Sequence, residues 1–305
     1  FRRVAVAWSW VTPKIMSSFS VEPIHEGFGA SISGIDMAGT LSDETVAQVW
    51  GLIDEYSFLV FPHQFSFNDE RQLAFTRCLG SPEPSHVAKG EEGKIEYFGT
   101  IGNVQEDGTA IGNDHRKTRF LTGNNLWHSD ASFKPVPAAL SIMCAYETPS
   151  AGGETLYAST RTAYARLDVD MQDMLDPKIG IHDYTFSRSK VSPDAVSPSL
   201  SASLPPVRQK LVRKNPSNHR KNLFIGSHVR EIEGMGFEKS RELLDQLVEH
   251  STDPENIITH AWQPGDLVIW DNRCLIHRGA GYDADKHRRL MRQTRVSGPV
   301  SSLEE

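Results

Sequence analysis

Among the 12 histidines of this 305-residue chain, one stands two residues before an aspartate, in Trp127-His128-Ser129-Asp130. On extended backbone, residues i and i+2 face the same way, so this segment would offer an imidazole and a carboxylate together. Ferrous iron at an oxygen-activating centre needs such a pair plus a second histidine on one face of its octahedron, with the opposite face open. A lone His-x-Asp is a weak signal, because such tripeptides arise by chance. It gains weight from Trp270-Asp-Asn-Arg-Cys-Leu-Ile-His277-Arg-Gly279, where a histidine closes a hydrophobic segment that a fold could lay beside the first. His128, Asp130 and His277 are therefore the expected metal-binding and catalytic set.

These side chains can converge only if short strands bring distant segments alongside. Residues 20–38 alternate loosely and carry Gly27, Gly29 and Gly34, which reads as short strands and turns. Ser42 would cap a helix with Val46, Val49, Trp50 and Ile53 recurring at helical spacing. Residues 58–61 form an apolar strand closed by Pro62, and Asn68 would cap a second helix with Leu73, Ala74 and Cys78 inward. Residues 84–124 read as a polar, Gly-rich loop, and a loop of that length in a compact domain is usually functional or disordered. Residues 138–146 read as a strand, 160–175 and 237–250 as helices, and 257–262 and 267–270 as strands around a Pro264-Gly265 turn. Residues 187–206, rich in Ser and Pro, read as a mobile surface insert. Short strands with a few helices outside them imply a mainly β fold with flanking helices, a sandwich or barrel.

The formal net charge of −7, with no long basic block, argues against nucleic acid as a partner. No apolar run approaches the roughly 20 residues needed to span a bilayer, so no membrane partner is expected. Cys78, Cys144 and Cys274 are odd in number and far apart, which speaks against a disulfide framework or a cysteine zinc site and for a reducing, cytoplasmic setting. With 38% hydrophobic and 23% charged residues the chain can bury a real core, and its length suits one large domain. That domain is expected over residues 19–298, between an extension at 1–18 and a tail at 299–305. The extension opens Phe-Arg-Arg before a short, Trp-rich apolar patch, without the cleavage site of a secretory signal. A homo-oligomer is compatible with all of this.

A co-substrate with a carboxylate away from the metal needs a cation, and the planar arginine fork suits that task. Arg288, Arg289 and Arg292 follow His277 on what reads as the next strand. Arg288 and Arg292 would share one face, and Arg289 would take the other, as a solvated charge. Taken together, the His128-Ser-Asp130 pair, Gly152-Gly-Glu-Thr155, the segment from Gly265 through His277 to Gly279, and Arg288 with Arg292 form one pattern. From about residue 19 to about residue 296 it resembles the taurine dioxygenase and 2,4-dichlorophenoxyacetate dioxygenase family of Fe(II)/2-oxoglutarate-dependent dioxygenases. Asn125-Leu-Trp-His-Ser-Asp130, Lys221-Asn-Leu-Phe-Ile-Gly226 and Trp270-Asp-Asn-Arg-Cys274 bring it closer to the dichlorophenoxyacetate branch.

The resemblance implies a double-stranded β-helix (jelly roll) core, with His128, Asp130 and His277 on the iron. It implies that Thr155 and Arg288 bind the far carboxylate of 2-oxoglutarate. Arg292 would lie near the co-substrate or a substrate acid group, and Trp270 would line the pocket beside the metal. The expected activity is oxidation of a C–H bond in a small organic acid (aryloxyalkanoate-, sulfonate- or amino-acid-like), coupled to conversion of 2-oxoglutarate and oxygen to succinate and carbon dioxide. Asn125, His86, Lys89 and Arg292 are candidate substrate contacts. The polar segment at 85–123 and the insert at 187–206 depart from the bacterial phenoxyacetate enzymes and leave the substrate open. The competing readings are a zinc-dependent hydrolase, since the same ligand trio can hold zinc, and an inactive jelly-roll binding module.

Overall fold

A computed structural model of the chain describes residues 19–86, 95–192 and 195–305; the expected extension at 1–18 and Lys89 lie outside the described residues. Strands β1 (Ser20–Pro23) and β2 (Ala30–Ser33) lead to helix α1 (Asp43–Tyr56), then β3 (Phe58–Phe61) and α2 (Asp69–Leu79). Ser42 caps α1 by accepting from the Thr45 N–H, and Val49, Leu52 and Ile53 form its buried face. Helix α2 begins at its Asn68 cap but buries Gln72, Phe75, Thr76 and Leu79 rather than Leu73, Ala74 and Cys78. The inward face is partly polar because Gln72 donates to the Arg292 carbonyl at 3.0 Å and Thr76 meets the Thr294 hydroxyl at 2.7 Å.

The middle of the chain forms β4 (Gly99–Gly102), α3 (Arg116–Leu121), β5 (Ala138–Glu147), β6 (Thr155–Ser159), α4 (Thr160–Arg166), α5 (Val169–Leu175), β7 (Ile179–His182), α6 (Tyr184–Ser189) and α7 (Pro198–Ser203). The stretch expected as loop over 84–124 thus holds a strand and a helix. The single helix expected over 160–175 is two, because Leu167 turns extended and Asp168 caps the second by accepting from the Met171 N–H. The expected insert carries the end of α6 and, with Ser197 as its cap, α7.

The remainder comprises β8 (Val207–Lys210), β9 (Val212–Lys214), β10 (Lys221–Leu223), β11 (Val229–Ile232), α8 (Phe237–Ser251), β12 (Ile257–His260), β13 (Leu267–Asp271), β14 (Leu275–Gly279) and β15 (Leu290–Ser297). The residues expected as a tail dock instead: the Lys210 N–H donates to Ser302 Oγ at 3.0 Å, and Arg213 pairs with Glu305.

The fold is mainly β with helices. One sheet runs β1-β2-β3-β13-β5-β15-β4, and a second runs β12-β6-β14. Between them lies a core of Phe58, Met143, Val268, Trp270 and Met291 from the first sheet and Tyr157, Ile258 and Leu275 from the second. Helices α1 and α2 cover the other face of the large sheet through Val49, Ile53, Phe75 and Leu79. Alternation along β13 explains the split: Leu267 and Ile269 face the helices, and Val268 and Trp270 face the second sheet. Among the described residues no helix is long and apolar enough to cross a membrane.

Candidate active site

His128 and His277 are brought together by the backbone. They form a single antiparallel bridge, with His128 N–H donating to the His277 carbonyl at 3.0 Å and the reverse bond at 2.8 Å. Their rings lie 4.3 Å apart. His128 therefore sits on one rung of pairing rather than in a full strand, and Asp130 follows in a turn whose next residue, Ala131, has φ 52°. Asp130 Oδ1 is 3.7 Å from His128 Nε2, and Oδ2 is 3.8 Å from His277 Nε2. One ligand atom from each of the three falls within 4.8 Å of the others, so the trio could hold one ion.

The surroundings prepare these groups to coordinate. The Leu126 carbonyl lies 2.7 Å from His128 Nδ1. A carbonyl only accepts, so the proton belongs on Nδ1 and the Nε2 lone pair is free. His277 Nδ1 is buried without a partner among the described residues, and its ring stacks on Tyr157 at 5.8 Å with the edge of Trp270 4.9 Å away. Burial, with His128 nearby, pushes the His277 imidazole down to about 3, and burial also lowers His128. Burial thus works toward the neutral form that a metal ligand needs, against the pull of Asp130 toward the charged one. Burial works to raise Asp130, but the facing histidines, Arg295 and the Ser141 hydroxyl outweigh it and hold the carboxylate well below its usual range.

Asp130 is clamped from two sides. Asn272 donates to Ser141 Oγ at 2.9 Å, and Ser141 donates to Asp130 Oδ2 at 2.6 Å. Gln293 donates to the same oxygen at 2.8 Å. Trp270 is fully buried behind His277 and donates to Asn272 at 3.1 Å. It was expected to line the pocket; it supports the wall from behind, because the side chains that line the cavity come from other strands.

The trio opens into a cavity of about 270 Å³, also lined by Thr155, Asn125 and Arg289. Thr155 accepts from Trp262 Nε1 at 2.9 Å, which leaves its own O–H to donate. Asn125 reaches the cavity beside Gly279, where an added Cβ would stand 3.0 Å from Asn125 Oδ1. The arginine facing this cavity is Arg289, not Arg288. The expected alternation holds, but the faces are exchanged: Arg289, Met291, Gln293 and Arg295 are buried toward the site, whereas Arg288 bonds Glu147 at 2.6 Å on the exposed side. Asn103 fixes this by accepting from the Arg289 N–H at 2.8 Å and donating its own N–H to the Arg289 carbonyl at 3.0 Å. Arg289 is 6% exposed, and its Nε has no partner among the described residues. Arg292, on the outer face, donates to Asp69 at 3.0 Å, so it is not placed to share the first cavity.

A second cavity of about 360 Å³ adjoins the first; both are lined by Ile101, Leu121, Asn124, Asp130 and Gln293. His86 and Arg292 border it, as do Arg188 and Arg295. Burial and the charges of Arg295 and Lys134 push His86 well below its ordinary value, so it is a neutral ring packed on Phe133 and Tyr184 and not a cation for a substrate acid.

The chain's sequence matches the profile of the family described as taurine catabolism dioxygenase TauD, TfdA over residues 20–294. The chain belongs to that family. It is 35% identical to the alpha-ketoglutarate-dependent 2,4-dichlorophenoxyacetate dioxygenase of Cupriavidus pinatubonensis, over 93% of this chain and 99% of that protein. It is 32% identical to the (S)-phenoxypropionate/alpha-ketoglutarate-dioxygenase of Sphingobium herbicidovorans, over 93% of this chain and 97% of that one. The crystal structure of AAD-2 in complex with Mn(II) and N-oxalylglycine superposes with a TM-score of 0.85 at 32% identity, covering 94% of this chain and all of that one. This TauD/TfdA member is accordingly a 2-oxoglutarate-dependent dioxygenase, with ferrous iron as cofactor and oxygen as second co-substrate.

For this dioxygenase, residue types alone did not single out Ser141, Asn272 or Gln293 as the braces of Asp130, nor Arg188 in the Ser-rich stretch. For Ser141 and Gln293 the signal is register: Ser141 lies opposite Trp270 on β13 and Arg295 on β15, and Gln293 lies opposite Met143 on β5.

Proposed function

We propose that His128, Asp130 and His277 hold the iron, that Thr155 and Arg289 receive the far carboxylate of 2-oxoglutarate, and that the enzyme oxidises a C–H bond of a small organic acid. One observation carries this reading: a buried arginine with no carboxylate partner among the described residues lines the same cavity as the His-Asp-His trio. A buried cation without a counter-ion is costly, and a dianionic keto acid spanning from ion to Arg289 would relieve that cost. The donor set of two neutral imidazoles and one ionised carboxylate suits divalent iron. Iron bound there supplies the oxygen-activating redox chemistry that side chains lack.

The protein's own contribution is placement. Leu126 holds the proton on His128 Nδ1, so Nε2 faces inward. Ser141 and Gln293 fix Asp130, and Tyr157 and Trp270 keep the His277 ring from turning. The Thr155 hydroxyl and the Arg289 fork would set the co-substrate at a fixed depth. The second cavity, next to Asp130 but outside the Thr155–Arg289 slot, is where the molecule to be oxidised would lie. Relatives named for 2,4-dichlorophenoxyacetate and (S)-phenoxypropionate support an aryloxyalkanoate-like acid. Two facing sheets around one core support a single jelly-roll domain over residues 19–298.

The test supplies ferrous ion, 2-oxoglutarate and oxygen with a panel of aryloxyalkanoates, sulfonates and amino acids. Succinate should form in step with an oxidised acid, and Arg289→Gln should raise the 2-oxoglutarate requirement. Succinate formation with none of these acids oxidised would overturn the assigned substrate class, and an unchanged 2-oxoglutarate requirement in Arg289→Gln would overturn the role given to that arginine.

A further inference from the structure

We propose that Arg188 is the specificity-determining residue of this dioxygenase: its guanidinium receives the acid group of the molecule to be oxidised and seats that molecule in the second cavity, an inference that rests on the function proposed above. Arg188 projects from α6, is 8% exposed and lines the second cavity. Among the described residues its hydrogen bonds and ring contacts are all with neutral groups. Nη1 donates to the Phe120 carbonyl at 3.3 Å, Nη2 donates to Asn124 Oδ1 at 3.0 Å, and Nε meets no acceptor among the described residues. The guanidinium carbon lies 4.9 Å from the Phe120 ring centre and 5.3 Å from that of Tyr184. Among the described residues no carboxylate comes within ion-pairing distance of it.

Other arginines near the site differ. Arg295, on the same cavity, pairs with Glu83 at 2.9 Å; Arg292 pairs with Asp69, and Arg288 with Glu147. Of the arginines lining the two cavities, Arg289 and Arg188 are the two without an acid partner among the described residues. The first has a carboxylate waiting in the co-substrate; the second calls for another anion. The surroundings reinforce this. Glu83 is shared between Arg295 and Lys134, the latter at 2.8 Å, and Arg295 also faces Asp130, so those acids are already engaged by other cations than Arg188. Gly123 makes room for the guanidinium: a Cβ there would stand 2.0 Å from Arg188 Nη1. Phe98, Phe120 and Tyr184 supply apolar walls, so the fitting class is a small organic anion with an aromatic or alkyl body. The acid would lie at Arg188 and the body along the rings.

The experiment uses protein loaded with Mn(II) and N-oxalylglycine, which cannot turn over, and calorimetric titration with two matched pairs: phenoxyacetate against phenoxyacetamide, and hexyl sulfate against hexanol. Wild-type protein should bind at least one anion tenfold or more tightly than its neutral partner. Arg188→Gln should erase that preference while leaving N-oxalylglycine affinity within twofold, and Arg188→Lys should retain part of it. The inference is overturned if the Gln variant keeps the preference or if wild-type protein prefers neither anion. A wild-type protein that binds no N-oxalylglycine fails earlier and overturns the proposed function with it. Should the Gln variant not fold, the Nε–H resonance of Arg188, assigned by its absence in the Lys variant, is followed in wild-type protein. It should move with the bound anion and not with the neutral partner; an unmoved resonance at saturation overturns the inference.

Discussion

The two cavities that meet at Asp130 are built differently. The first has its proposed iron and co-substrate contacts on or beside sheet: Thr155 on β6, His277 on β14, and Arg289 held by its backbone at the entry to β15. The second draws its polar and aromatic walls largely from helices and connections, with Phe120 on α3 and Tyr184 and Arg188 on α6. Strand positions are fixed by ladders of hydrogen bonds on both sides, whereas connections tolerate change in sequence and length. The contrast teaches that one chain can keep the shared step rigid while the part that selects its target stays free to vary.

Four perturbations would break or sharpen that contrast. The largest effect is expected from Asp130→Ala or His277→Ala, which remove a proposed ligand. Because loss of a group that merely supports a ligand costs about 10–100-fold in metal affinity, ferrous binding should fall by more than about a hundredfold, read by anaerobic titration. Next, Arg289→Gln removes charged hydrogen bonds worth about 1.5–3 kcal/mol, so the KM for 2-oxoglutarate should rise about 10–150-fold with the fold intact. A third change, Ser141→Ala, leaves Asp130 braced by Gln293 alone and should weaken metal binding about tenfold. If it costs nothing, the sheet does not hold the carboxylate as described. The smallest effect belongs to Arg288→Gln, whose pair with Glu147 is exposed; steady-state kinetics should change by less than about twofold.

The convergence of His128, Asp130 and His277 was legible, because His-x-Asp and a second histidine after an apolar strand are local patterns. The strands at 58–61, 138–147 and 267–271 were equally legible, being apolar runs bounded by breakers. The arginine was not. Alternation separates Arg288 from Arg289, but which parity faces the site depends on partners far away, Asn103 and Glu147, that no short window contains. The face of α2 was misjudged for a related reason: Gln72 and Thr76 point inward to satisfy β15, against the rule that polar residues face water. Arg188 was hidden by its neighbourhood, since a Ser- and Pro-rich stretch reads as surface until α6 is seen packed beside the site.

The rung joining His128 to His277 has a consequence for how an ion on the proposed trio would be kept. Each histidine's peptide group is the other's hydrogen-bonding partner, so neither imidazole can swing away by backbone motion without unlatching its mate. Loss of iron should then be an all-or-none event, timed by how often that one rung breathes open. A seated ion would rivet the two segments in return, making amide exchange at these two positions a direct gauge of occupancy.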